Sequence, residues 1–259
     1  MTLMMDNKAG KAMVLTHRDL SIVTDVSQFR ILTREQLERL GHFQSKTRAN
    51  AVLLRLVRFG YLSRRYQPAV AGTQRALYFL GSKGVALTKA SNPSERRNIK
   101  ALSDLFLAHQ LLVTDMHIGF RREASLRIER WMTDEELRAS QLGIVPDGHI
   151  EYAHGEKRFG AFLELDRGTE TLGRFQAKVR AYIHLTTTDG YRKAFGRTFF
   201  RVLVVAPSAT RIEHLRKATA AITDRIFWFT TTERFTVEGP LANIWLRPAG
   251  AERHSLTES

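Results

Sequence analysis

Charge divides this chain sharply in two. Residues 1–100 hold 18 Lys and Arg against 6 Asp and Glu, a net of +12, whereas residues 101–259 hold 22 against 20, a net of +2. Cations present only for solubility would be spread along the chain; a surface that grips phosphates needs them concentrated. The asymmetry therefore favours a dedicated N-terminal module facing a polyanion, nucleic acid before membrane. A length of 259 residues suits two domains, at about 150 residues per domain as a prior. Hydrophobic residues at 43% and charged residues at 25% suit packed cores and fit neither a disordered chain nor a coiled coil. The absence of cysteine removes disulfides, thiolate zinc sites and Cys nucleophiles together, and agrees with a cytoplasmic setting. The apolar runs Val202 to Ala206 and Ile226 to Phe229 are strand-sized, so no membrane span or membrane partner is expected. Residues 1–14 read as a disordered tail without the apolar stretch of a signal peptide, and residues 251–259 as a second tail. Between a domain at 15–90 and another at 102–250, residues 91–101 (Ser91, Asn92, Pro93, Ser94 and a charged run) read as a linker.

In the first module Thr16 is placed to cap a helix running to Gln28, and Thr33, with Gln36 three residues on, to open a second that stops at Gly41. A third begins near Ser45. Its Ala49, Val52, Leu53, Leu56 and Phe59 recur at helical spacing, which leaves Lys46, Thr47, Arg48, Asn50 and Arg55 on or near the outside. Two strand-like segments follow, Tyr61 to Tyr66 and Arg75 to Leu80, separated by a turn at Pro68 to Gly72. Three helices and a hairpin predict a winged helix-turn-helix whose third helix enters a major groove, with Arg64, Arg65 and Arg75 on the wing for phosphate or minor-groove contact. The same pattern would also serve a protein-interaction domain with solvated arginines.

The second module alternates types. An apolar helix over Leu102 to Ile118 precedes strands over Leu126 to Trp131, Ile144 to Tyr152 and Phe159 to Asp166. A helix from Glu170 to Leu185, a strand from Phe199 to Ala206, a helix from Thr210 to Asp224 and a strand from Ile226 to Thr230 complete it. This predicts an α/β domain with a mixed sheet, making the whole chain α+β. A two-residue hairpin loop at Gly155-Glu156 would set Asp147 opposite Glu164, and period-two alternation would put Asp166, and His149 on the partner strand, on the same face. Carboxylates that converge repel unless something positive lies between them. Mg²⁺ or Mn²⁺ held by Asp147, Glu164 and Asp166 is one solution, and such an ion activates water against a phosphodiester. Pairing with Arg167, Arg174 or Lys178 as a structural network is the other. Trp131, Phe162, Phe175, Phe227 and Trp228 read as core.

The segments Thr33-Arg34-Glu35-Gln36-Leu37, Gly60-Tyr61-Leu62, Pro146-Asp147-Gly148 and Leu163 to Thr169, with Lys178 and Tyr182 on the next helix, resemble the replication-relaxation proteins of plasmids and other mobile elements. The resemblance runs from about Leu15 to Thr223. It implies a winged helix joined to a domain of the PD-(D/E)xK nuclease-like fold, with a role in plasmid replication, DNA relaxation or its control. By that pattern Asp147 and Glu164 match the metal-binding acids, while the lysine expected two residues after the second acid is Asp166 here. Lys178 would be its migrated substitute in a nuclease.

No P-loop, dinucleotide glycine fingerprint, HExxH or GxSxG occurs. The expectation is a sequence-specific binder of double-stranded DNA, a regulator or replication accessory factor, acting as a homodimer and requiring no cofactor. The alternative is a metal-dependent nuclease or nickase using Asp147, Glu164 and Lys178.

Overall fold

The computed structural model describes residues 4–5, 13–68, 74–88, 102–140 and 142–258. They divide into two compact units, Met1–Thr114 and Asp115–Ser259. The linker read at 91–101 lies outside the described residues, and so does most of the turn read at Pro68 to Gly72.

The N-terminal unit holds β1 (Met4–Met5), β2 (Met13–Val14), α1 (His17–Phe29), β3 (Leu32–Thr33), α2 (Arg34–Arg39), α3 (Lys46–Arg58), β4 (Leu62–Pro68), β5 (Gln74–Leu80), α4 (Ser82–Thr88) and the first part of α5 (Asp104–Arg122). Strands β1 and β2 pair antiparallel, so part of the segment read as a tail is a short ladder. Each of the first three helices starts on a hydroxyl cap. Thr16 and Thr33 form capping boxes with Asp19 and Gln36, and the Ser45 side chain accepts from Arg48 N. These contacts satisfy backbone donors that a helix start leaves without partners. Strand β5 lies between β3 and β4. Ile22, Val23 and Val26 of α1 and Leu53 and Leu56 of α3 are fully buried. Ile31, Leu77, Phe79, Leu107 and Leu111 make a second cluster, beside which Gln36 Nε2 donates to Leu111 O at 3.1 Å.

The C-terminal unit continues with β6 (Leu126–Thr133), α6 (Asp134–Ala139), β7 (Gly148–His154), β8 (Lys157–Leu165), α7 (Leu172–Thr187), α8 (Gly190–Phe195), β9 (Arg201–Ala206), α9 (Ala209–Ala220), β10 (Phe227–Thr231), α10 (Thr232–Glu238), β11 (Trp245–Leu246) and β12 (Arg253–His254). Its seven strands form one mixed sheet in the order β12-β11-β10-β9-β8-β7-β6. The β8-β9 and β9-β10 pairs are parallel and the others antiparallel. Parallel neighbours need crossover connections, supplied here by α7 and α8 and then by α9. Phe162, Val202, Val204 and Phe227 from the sheet pack with Phe175, Val179, Tyr182 and Leu215 from the helices. Gly160 leaves room for Tyr191, whose hydroxyl would lie 2.0 Å from an added Cβ. The chain end read as a tail contributes β12, and Leu256 beyond it is fully buried.

Candidate functional site

The N-terminal face is built by helix periodicity. Ala49, Leu53 and Leu56 are fully buried, which turns Lys46, Thr47, Arg48 and Asn50 outward on the first turns of α3, where all four are exposed. Asn50 Oδ1 accepts from Arg34 Nη1 at 3.2 Å. Asn50 also lines a cleft of about 600 Å³ with Arg34, Arg64, Tyr66, Arg75 and Tyr78. The β4-β5 register sets Arg64 opposite Tyr78 and Arg75 opposite Gln67. The Arg64 guanidinium rests over the Tyr66 ring, 4.7 Å from its centre, a cation-π contact that holds the charge at the rim. Burial pushes the Tyr78 phenol up, against the lowering effect of Arg64.

Two arginines assigned to this face from the sequence are committed elsewhere. Arg55 Nη2 donates to both oxygens of the fully buried Asp19 at 2.7 Å, so Arg55 joins α3 to α1. Arg65 follows Arg64 on β4 and takes the other face of the ladder. Its Nη1 donates to Leu102 O at 2.8 Å and its Nη2 lies 3.3 Å from Asp104 Oδ1.

In the C-terminal unit the β7-β8 hairpin pairs His154 with Lys157 and Gly148 with Leu163, the register the two-residue turn dictates. Asp147 stands immediately before β7. Its N–H donates to Leu163 O at 3.0 Å and its Oδ2 accepts from Leu165 N at 2.7 Å. Glu164 points toward α7, where Lys178 and Tyr182 lie one turn apart on one side. Tyr182 Oη donates to Glu164 Oε1 at 2.6 Å, and Lys178 Nζ donates to Oε2 at 2.7 Å. Lys178 also lies 3.3 Å from Glu170. Burial first, and then the charge of Asp147, push the Glu164 carboxyl up to about 7. Burial opposes the Lys178 ammonium, but Glu164, Asp147 and Glu170 outweigh it and hold its pKa above the ordinary lysine value. Burial, reinforced by Glu164, raises the Tyr182 phenol.

Asp166 is not part of this pair. Arg211 from α9 holds it, with Nε 3.0 Å from Oδ1 and Nη2 2.6 Å from Oδ2. Gly168 N also donates to Oδ1, in a turn whose φ of +83° suits glycine. The expected three-carboxylate patch is thus divided into a lysine-neutralised pair and an arginine-neutralised single acid. Among the described residues no group of three or more His, Cys, Asp or Glu is arranged to hold a metal ion. A divalent ion bound by Asp147 and Glu164 would have to take Oε2 from Lys178, so the arrangement does not by itself fit a resident metal. His149 is also removed from the patch. It is fully buried, with Nε2 3.0 Å from Tyr191 Oη, and burial, aided by Arg130 and Arg197, lowers its pKa to about 3. Arg211 escaped sequence reasoning because it lies 45 positions from Asp166.

The sequence model of the replication-relaxation family matches residues 23–199. No curated protein matches the chain. Among solved structures, restriction endonuclease FokI is similar at 12% identity and a TM-score of 0.36, and FokI bound to DNA at 11% and 0.29. Each match covers 84% of this chain and 43% of that chain, so this chain spans less than half the length of the enzyme it matches.

Proposed function

This chain belongs to the replication-relaxation family, and from that premise we propose that it is a sequence-specific double-stranded DNA-binding protein of a mobile element. In this reading it works in the cytoplasm as a regulator or replication accessory factor, and its N-terminal unit is a winged helix-turn-helix. The observation that carries the proposal is the exposed row Lys46, Thr47, Arg48 and Asn50 at the start of α3, beside a cleft rimmed by Arg64 and Arg75. The row is suited to base edges in a major groove, and the rim arginines to phosphates. A homodimer follows from the way such modules read paired half-sites. Light scattering that gave a monomer with and without DNA would remove that part.

Selection from a random duplex library tests the main claim. The parent should enrich a motif, and the Lys46→Ala/Arg48→Ala/Asn50→Ala variant should lose the preference, at about 1–3 kcal/mol per good base contact. Failure of the parent to enrich any motif, or enrichment of the same motif by the variant, would sink the reading.

A second reading, metal-dependent DNA cleavage, rests on the charge of Asp147 acting on both Glu164 and Lys178, and it requires the Glu164–Lys178 contact to open for the ion. Incubation of supercoiled plasmid with Mg²⁺ or Mn²⁺ tests it, since nicking lost in both Asp147→Ala and Glu164→Ala would establish it.

A further inference from the structure

Strands β8, β9 and β10 have a second cleft at the end of the sheet away from Glu164, roughly 16 Å along β8 at about 3.3 Å per residue. It measures about 570 Å³, and among the described residues its lining includes Lys157, Arg158, Arg201 and Arg247 and no carboxylate. That volume lies within the roughly 300–1,000 Å³ of small-ligand pockets.

Aromatic rings hold two of these cations, Arg201 and Arg247. The Arg201 guanidinium lies between two rings, 4.9 Å from the centre of Phe159 and 4.4 Å from that of Trp228. Its nitrogens also donate to the carbonyls of Leu256 and Glu258. Arg247 lies over the same Trp228 ring at 4.7 Å and donates to Asp224 O at 3.3 Å. Arg158 is 60% exposed, with Glu129 3.5 Å from its Nε. Burial and the neighbouring charge of Arg201 lower the Arg247 pKa against the raising effect of Asp224, so an anion beside Arg247 would relieve its guanidinium. At the cleft Phe199, two residues before β9, is 86% exposed, so its ring is open to solvent.

An exposed ring beside fixed cations is the combination that holds a polynucleotide backbone and stacks a base. A duplex keeps its base faces covered by neighbouring pairs, so only an unpaired base can use Phe199. We propose that this cleft binds a short stretch of single-stranded polynucleotide, with a base stacked on Phe199 and phosphates held by Lys157, Arg158 and Arg247. The site is distinct from the duplex-reading face of the N-terminal unit and does not depend on it.

The test is fluorescence anisotropy of labelled dT12, and of a labelled duplex, with the full-length chain. The parent should bind dT12. Phe199→Ala should weaken that binding roughly tenfold, and Arg247→Ala should weaken it as well, with duplex affinity unchanged in both. Phe199→Trp should restore binding and show quenching on addition of dT12. Lys46→Ala/Arg48→Ala should weaken duplex binding alone, which separates failure here from failure of the N-terminal reading. Near-ultraviolet circular dichroism checks that each variant is folded. The proposal is overturned if the parent does not bind dT12, if Phe199→Ala binds it as the parent does, or if that variant loses dT12 and duplex equally.

Discussion

Lys178 Nζ sits 2.7 Å from Glu164 Oε2, so the positive charge that two neighbouring carboxylates require comes from the helix next to the strand. Glu164 is 3% exposed and both its oxygens are engaged, which makes it a buried, neutralised acid. Its geometry thereby meets the needs of folding before any chemistry is asked of it.

The raised Glu164 pKa gives the first prediction. Folding lifts it from 4.5 to about 7. Between those values the folded chain holds a proton that the unfolded chain has released, so stability falls as pH rises through the window and levels off above it. The loss from this group is on the order of 3 kcal/mol. In Glu164→Gln the fall should vanish. Urea unfolding at several pH values from about 4.5 to 8 reads the difference between parent and variant, and parallel profiles would contradict the assignment.

Arg55 gives the second. Asp19 is fully buried and accepts from Thr16 N and Oγ1 as well as from Arg55, so loss of the guanidinium leaves a buried carboxylate short of its countercharge. Breaking such pairs costs about 3–5 kcal/mol when both partners are buried. Arg55 is 42% exposed and screened by water, so Arg55→Ala should cost less, about 2 kcal/mol. Arg55→Lys should recover part of it. A variant as stable as the parent but deficient in duplex binding would return Arg55 to the DNA-reading set.

The residues that sequence placed well are those governed by local rules. Thr16, Thr33 and Ser45 announce helix starts because a hydroxyl three residues before an amide is a local device. The Gly155-Glu156 turn sets the β7-β8 register because a two-residue loop leaves little choice, and Gly155 takes the left-handed φ of +59° that such a turn favours. The partners of Asp19 and Asp166 were out of reach, since Arg55 and Arg211 lie 36 and 45 positions away and meet them only through helix packing. Strands β11 and β12 have two residues each, too few to show a period. Strand β7 starts at Gly148, four residues after the start expected at Ile144, with Pro146 in the intervening segment unable to donate to a ladder.

Arg64 and Arg75 lie at the rim of the N-terminal cleft, on the hairpin and not on α3. Their neutralisation should act through phosphates and be blind to sequence. Arg64→Gln and Arg75→Gln should each lower affinity for all duplexes and reduce the slope of log affinity against log salt by about 0.9. Mobility shifts over a salt series measure this, and a variant that changed the preferred motif while keeping the slope would move that arginine to the base-reading set.

Divalent cations set the two readings of the acid patch against each other. For Mn²⁺ to bind Asp147 and Glu164, Glu164 must be deprotonated and its Oε2 released from Lys178. Affinity should therefore rise as pH increases through about 7, the value to which Glu164 is lifted. Lys178→Met removes the competing ammonium and should bind Mn²⁺ several-fold more tightly than the parent, at some cost in stability, while Glu164→Gln should bind it weakly or not at all. Calorimetry in buffers of different ionisation enthalpy reads affinity and proton release together, and plasmid nicking under the same conditions reads chemistry. If the parent nicks, and Lys178→Met binds the metal but does not nick, the lysine acts on the reacting phosphate and the C-terminal unit is an enzyme. If neither nicks while Lys178→Met gains affinity, Lys178 is the cation the fold uses in place of a metal. If Lys178→Met binds Mn²⁺ no better than the parent, the lysine does not compete for Glu164, and something other than its ammonium keeps a divalent ion from the two carboxylates.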